Sequence, residues 1–263
     1  MTICVSVKTR DGIVLGTDSM STVTLYGNDG HPTARKTYSN ARKLVQIGSF
    51  PVGVFIYGTG NLGSRTVYSH ILEFSRSLEN DREWTVQKTA SGLSQHMLQE
   101  YNEIYGETKA QHFLGLNVAG YSKGAASSEE WKIGIPTSTE PGLVKTNGVN
   151  WEGVLLPFGR LYHGYDLRLI QALQEAGVKP DLLRNVLEET SLVPQILFDA
   201  MPLQDAINYV VYVLRTTIGF SSFETGPPTC GGQLQIAVIS EEDGFQWVSR
   251  PEFRIPEDTN EWA

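Results

Sequence analysis

Apolar and polar positions alternate along the chain from its second residue. Thr2, Cys4, Val5 and Val7 belong to one β-branched run, Ile13-Val-Leu15 to another, and Asp11-Gly12 lies between them. Strand, Asp-Gly turn and strand predict a hairpin whose second arm ends at Thr17 and Asp18, beside the start of the first. Residues 19 to 40 are polar and rich in Ser, Thr, Gly and Asn, and read as a long loop. Short strands follow over Ala41-Arg-Lys-Leu-Val-Gln-Ile47 and Pro51 to Tyr57, the latter apolar on both faces and so covered on both. A helix from about Leu62 to Leu78 sets Val67, Ile71, Phe74 and Leu78 on one stripe, and a second follows a Thr85 cap with Leu93, Met97, Tyr101 and Ile104.

Strands return at His112 to Tyr121 and Glu130 to Ile135, and residues 137 to 150 read as loop. Trp151 to Arg160 carries no clear period. Helices are predicted from Asp166 to Ala176, over 181 to 200, and from Pro202, with Asp205 in the first turn where it suits the helix dipole. Gln233 to Ile239 and Gly244 to Val248 form a closing hairpin. This order predicts an α+β fold, a four-layer αββα sandwich of two antiparallel sheets covered by helices. Residues 1–250 make one domain, and 251–263 a polar tail.

Composition narrows the picture. A chain of 263 residues with 40% hydrophobic and 19% charged residues suits a globular protein with a sizeable core. A net charge of −8 argues against nucleic acid as the main partner. Two cysteines, Cys4 and Cys230, are too few for a disulfide framework and point to a reducing compartment, the cytoplasm. No run reaches the ~20 apolar residues of a membrane span, and no basic stretch leads into an apolar one at the start, so neither a membrane partner nor a signal peptide is expected.

The chemistry gathers at the first residues. Loss of Met1, usual before a small residue, places the Thr2 hydroxyl and a free α-amine on one residue. A threonine hydroxyl needs a base to act as a nucleophile. The α-amine, with a pKa near ~7.9 against ~10.4 for lysine, is deprotonated roughly 300 times more often at neutral pH. The hairpin lets Asp18 reach this terminus. Taken alone, the same residues also fit an ordinary hairpin with a turn-capping aspartate.

Four pieces of the chain resemble the proteasome β-subunit family of N-terminal nucleophile hydrolases: Thr2 to Asp18, Ala41 to Ile47, Phe55-Ile-Tyr-Gly-Thr-Gly60, and Cys230-Gly-Gly-Gln-Leu-Gln-Ile236. The match is most similar to stand-alone bacterial proteasome-type peptidases. The resemblance implies a threonine-type endopeptidase or amidohydrolase with Thr2 as nucleophile, its α-amine as base, and no cofactor or metal. It makes Lys43 the cation that stabilises the developing alkoxide, Asp18 its orienting partner, and Gly58 the source of an oxyanion-binding N–H. Thr22 and Gly60 would bind an extended peptide by strand addition, and Ser21, Ala41 and Ile56 would line the first specificity pocket.

There are departures from the family pattern. The loop between Asp18 and Lys43 is longer, and 178–201 looks like an insertion. Cys230 stands at the late serine position, and Pro227-Pro228 where an aspartate supports the amine; Glu224 and Ser222 are the candidate substitutes. The other supporting serine falls near His163-Gly-Tyr-Asp166. The alternative to the enzyme is a catalytically silent proteasome-like scaffold subunit. A serine hydrolase is a weaker idea, because no Gly-x-Ser-x-Gly occurs. Family members enclose their sites, so a homo-oligomer larger than a dimer, a ring or spiral, is expected to act on peptides or unfolded protein, with an ATPase partner left open. Leu72 and Leu98 look like surplus apolar surface on the two early helices, suited to that contact.

Overall fold

The computed structural model describes residues 2–27, 31–78, 83–106, 112–190 and 195–253. In chain order, β1 (Ile3–Lys8) and β2 (Ile13–Thr17) form the expected hairpin, followed by β3 (Ser21–Tyr26), β4 (Pro32–Tyr38), β5 (Leu44–Gln46), β6 (Val52–Gly58), β7 (Asn61–Leu62) and β8 (Arg65–Thr66). Then come α1 (Val67–Ser77), α2 (Val86–Tyr105), β9 (Leu114–Gly120), β10 (Glu129–Ile135), β11 (Ser138–Leu143) and β12 (Gly148–Gly153). The chain continues through α3 (Leu156–His163), α4 (Leu167–Glu175), α5 (Pro180–Thr190), α6 (Leu203–Ser221), β13 (Gln235–Ser240) and β14 (Gly244–Ser249). No helix among the described residues is long and apolar enough to cross a membrane.

Two five-stranded antiparallel sheets carry the fold, in the orders β12-β1-β2-β13-β14 and β11-β10-β9-β6-β5. β1 shows how the period-2 pattern builds them. Ile3, Val5 and Val7 join Val210 and Leu214 of α6 on one face, while Cys4 on the other face joins Leu44 and Phe55 of the second sheet. Every residue of β1 is therefore buried. The far face of the second sheet is covered by α1 and α2, through Ile71, Leu93 and Met97 on Val54, Leu116 and Val118.

Several expected elements differ. Residues 19–40 are not a loop but the hairpin β3–β4, a two-stranded sheet in which Val23 and Leu25 stay exposed. A strand that buries neither face carries no apolar alternation to read. The first helix starts at Val67 rather than Leu62. Asn61–Thr66 forms a tight hairpin, and the Thr66 side chain then caps the helix by accepting from the Ser69 N–H. Residues 137–150 hold β11 and the start of β12, whose burial is only partial. Thr85 caps α2 as expected, by accepting from the Lys88 N–H. Leu72 and Leu98 pack half-buried against the chain's own core under α1 and α2, so they give no argument for self-association.

One buried acid joins the sheets. Glu130 accepts from Ser6 Oγ and Asn117 Nδ2, both at 2.5 Å, and from Asn150 Nδ2 at 3.4 Å. Burial raises its pKa above the ordinary 4.5, with the two short hydrogen bonds opposing. The folded chain therefore holds this proton more tightly than the unfolded one. Stability from that source is complete below about pH 4.5 and is lost as pH rises through the folded value. Between about pH 4 and about pH 7 the wild-type chain should lose more stability than Glu130→Gln, by up to about 1.4 kcal/mol per pH unit inside the window. Urea unfolding at the two pH values measures it; parallel changes in the two proteins would contradict the assignment.

Candidate active site

The hairpin places Asp18 opposite Ile3, and the two exchange hydrogen bonds. The Ile3 N–H donates to Asp18 Oδ1 at 3.2 Å, and the Asp18 N–H donates to the Ile3 carbonyl at 3.1 Å. Oδ2 accepts from the backbone N–H groups of Met20 (3.1 Å) and Gly231 (3.0 Å). Lys43 Nζ completes the set, 2.6 Å from Oδ1, with the two side chains 8% and 0% exposed. Four donors thus hold a carboxylate out of water, and charge-assisted bonds of this kind offset much of the desolvation cost of the pair.

Lys43 is positioned in turn by Gln235. The Oε1 of Gln235 accepts from the N–H groups of Lys43 (3.1 Å) and Leu44 (3.2 Å), while its Nε2 donates to the Ala41 carbonyl at 2.8 Å. The Lys43 carbonyl accepts from the Ile56 N–H at 2.9 Å. One amide on β13 therefore fixes the strand that carries the lysine, a link across 192 positions of sequence. Sequence reading missed it; the available signal was a glutamine that the strand's alternation turns inward. Gln235→Leu takes the side-chain partner from the Lys43 and Leu44 N–H groups and the Ala41 carbonyl, at about 1–3 kcal/mol for each left unsatisfied, and also removes the longer 3.5 Å bond to the Asp18 carbonyl. We expect it to lower kcat with little change in KM, because Gln235 does not line the cleft, and Gln235→Glu to fall between, since it keeps the acceptor and loses the donor. Equal kcat in all three proteins would contradict the positioning role.

Thr2 is held by its backbone. Its carbonyl accepts from the Val154 N–H at 2.8 Å. Gly153 pairs with Ile3 at a φ of +89°, and a Cβ there would overlap the Thr2 carbonyl. Gly153 is thus a second residue that sequence reading missed, in the stretch whose period was unclear. Beneath the site, Cys4 donates from Sγ to the Ile56 carbonyl at 3.3 Å.

A cleft of about 520 Å³ opens above these groups, and Thr2, Ser21, Thr22, Ala41, Lys43, Ile56, Gly58 and Gly60 all line it. Of the sequence-predicted residues only Asp18 lies outside the lining, fully buried against Lys43. Gly58 has a φ of +83°, with the Phe113 carbonyl where a Cβ would be, so only glycine fits. The Gly60 carbonyl accepts from the Val67 N–H at 2.9 Å. β3 pairs with β4 along one edge, Thr22 opposite Thr37, and with no other strand among the described residues.

The candidate amine supports have other partners. Cys230 is buried near Ser221 and Thr229, and burial pushes its thiol up to about 11, so it is not a thiolate at neutral pH. Ser222 bonds its own helix at the Gly219 carbonyl, 2.8 Å away. Asp166 caps α4 and is gripped by Arg160 and Arg168, whose hydrogen bonds and charge hold its carboxyl well below the usual range. His163 sits among the rings of Trp151, Tyr162 and Tyr165.

The fold that frames this site is a proteasome-like one. Among solved structures it is shared with Anbu (ancestral beta-subunit) from Yersinia bercovieri, with a TM-score of 0.56 and 14% identity over 94% of this chain and 88% of that one. It is also shared with the helical assembly of the Anbu complex from Pseudomonas aeruginosa, with a TM-score of 0.53 and 16% identity over 97% and 87% of the two chains. No protein-family model matches the chain, and no curated protein matches it. These neighbours correct the resemblance to the proteasome β-subunit family. Anbu proteins are proteasome-like but form a distinct family, and identities this low carry the fold alone.

Proposed function

We propose that this chain is an N-terminal threonine amidohydrolase acting on peptide bonds, within a four-layer αββα fold formed by one domain over 1–250. The observation that carries the reading is the buried Lys43–Asp18 pair opening onto a cleft that Thr2 also lines. Once Met1 is removed, the α-amine of Thr2 takes the proton from Oγ as Oγ bonds to the scissile carbonyl carbon. Lys43 stabilises the oxygen that loses its proton, and the Gly58 N–H meets the oxyanion. The C–N bond breaks, and the proton passes from the α-amine to the leaving amine. A water then attacks the ester, returning Thr2 and releasing the acid. The edge of β3 away from β4, which pairs with no strand among the described residues, receives the peptide as an added strand, with Thr22 and Gly60 supplying main-chain bonds and Ser21, Ala41 and Ile56 the first pocket.

Assembly belongs to the same proposal. The helical assembly described for the Pseudomonas Anbu complex supports a homo-oligomer larger than a dimer. The apolar surface available for it lies on the α3–α6 side, where α4 buries none of its residues and Leu161, Leu169, Leu182 and Phe220 are exposed.

The test is hydrolysis of short fluorogenic peptides by protein whose intact mass has been recorded. The expected result is turnover from a population lacking Met1. Full loss of Met1 with no turnover on a broad peptide set would favour a silent scaffold and overturn the proposal.

A further inference from the structure

A second constellation lies away from the cleft, in the seam between α1 and α2. His70 comes from α1; His96 and Glu100 stand four residues apart on α2 and so share one helix face. One ligand atom from each of the three lies within 4.8 Å of the others. His70 is 1% exposed, yet neither of its ring nitrogens makes a hydrogen bond, and neither does the buried Nε2 of His96. Glu100 Oε2 approaches His70 Nδ1 to 3.1 Å without forming a hydrogen bond with it. Among the described residues, His70 Nε2 and His96 Nε2 have no hydrogen-bond partner and His70 Nδ1 meets only the Glu100 carboxylate, and a buried unsatisfied group costs about 1–3 kcal/mol. Two imidazoles and a carboxylate that converge in this way are a donor set for one kind of ligand.

We propose that His70, His96 and Glu100 bind one divalent cation of the zinc class, which staples α1 to α2. Imidazole nitrogen and carboxylate oxygen suit zinc at about 2.0–2.2 Å, and three protein ligands leave a fourth position for water. In a tetrahedral site two such ligands stand about 3.4 Å apart, so atoms now within 4.8 Å of one another close by up to about 1.4 Å to grip the ion. The surroundings favour this. Phe74 stacks on His96 with centroids 5.8 Å apart and fixes the ring. Arg65, the cation whose charge acts on His70, is paired to Glu73 at 2.6 Å, so that Glu100 leaves the local balance negative.

The experiment is zinc titration of the full, tag-free chain in competition with a chromogenic chelator, read by absorbance and independent of any peptidase assay. We expect one equivalent bound, with affinity falling more than about 10-fold in His96→Gln and in Glu100→Gln, and unchanged in His31→Gln. Both ligand variants are at partly exposed positions, and their cooperative melting in chelator verifies folding where His70→Gln would leave the outcome open. Zinc should also raise the melting temperature of the wild-type chain and not of the double variant His96→Gln/Glu100→Gln. Absence of a stoichiometric site in the wild type, or unchanged affinity in the folded double variant, would overturn the assignment.

Discussion

Thr2→Ala should abolish peptide hydrolysis, lowering kcat/KM by about 10³-fold or more, or roughly 4 kcal/mol of transition-state stabilisation. The substitution removes the only atom that bonds the substrate in the proposed mechanism, while leaving the Thr2 carbonyl bonded to the Val154 N–H. The fold should therefore be untouched, since the hydroxyl of Thr2 is outside the hydrophobic clusters that join the layers. Melting temperature separates the two effects. Wild-type turnover in a folded Thr2→Ala protein removes the N-terminal nucleophile from consideration.

Lys43→Ala should cost nearly as much, about 10²–10³ in kcat, the range for a lost oxyanion-type stabiliser. It also strips a partner from a buried carboxylate. Breaking a buried pair typically costs about 3–5 kcal/mol, but here three backbone N–H groups still reach Asp18, so the stability loss should fall below that range. Lys43→Arg keeps the charge yet should recover little activity, because a planar guanidinium cannot occupy the site of a compact ammonium 2.6 Å from Asp18. Groups that act as one unit are non-additive, so Thr2→Ala/Lys43→Ala should be no slower than Thr2→Ala alone. Steady-state kinetics on one fluorogenic peptide settles the order; a double variant far slower than the single one would mean that the two residues act independently.

The parts of this account that sequence made legible are those with local signals. The first hairpin is written in Asp11-Gly12 between two apolar runs, and its return brings Asp18 beside Ile3. Lys43, Gly58 and Gly60 stand in compact segments that fold as short stretches, and the structure brings them to one cleft with Ser21, Thr22, Ala41 and Ile56. What sequence hid depends on distant partners or on the absence of burial. Gln235 touches Lys43 and Ala41 from the other end of the chain; the strand's alternation turns it inward, but nothing local says which groups it meets there. Gly153 matters only because β12 pairs with β1 beside Thr2. β3 and β4 escape periodicity because their apolar residues, Val23 and Leu25, face solvent. The surplus read into Leu72 and Leu98 came from taking a helix to bury one narrow stripe, whereas α1 and α2 lie against each other as well as on the sheet.

The central claim is that Thr2, freed of Met1, is the nucleophile, and mass spectrometry of an electrophile-labelled protein tests it most directly. Incubation with a peptide vinyl sulfone, followed by digestion and fragment sequencing, locates the adduct. The account predicts a chain that begins at Thr2 and carries one adduct on that residue, with none in Thr2→Ala or Lys43→Ala. An active chain that retains Met1, or a stoichiometric adduct on any other residue, would contradict it.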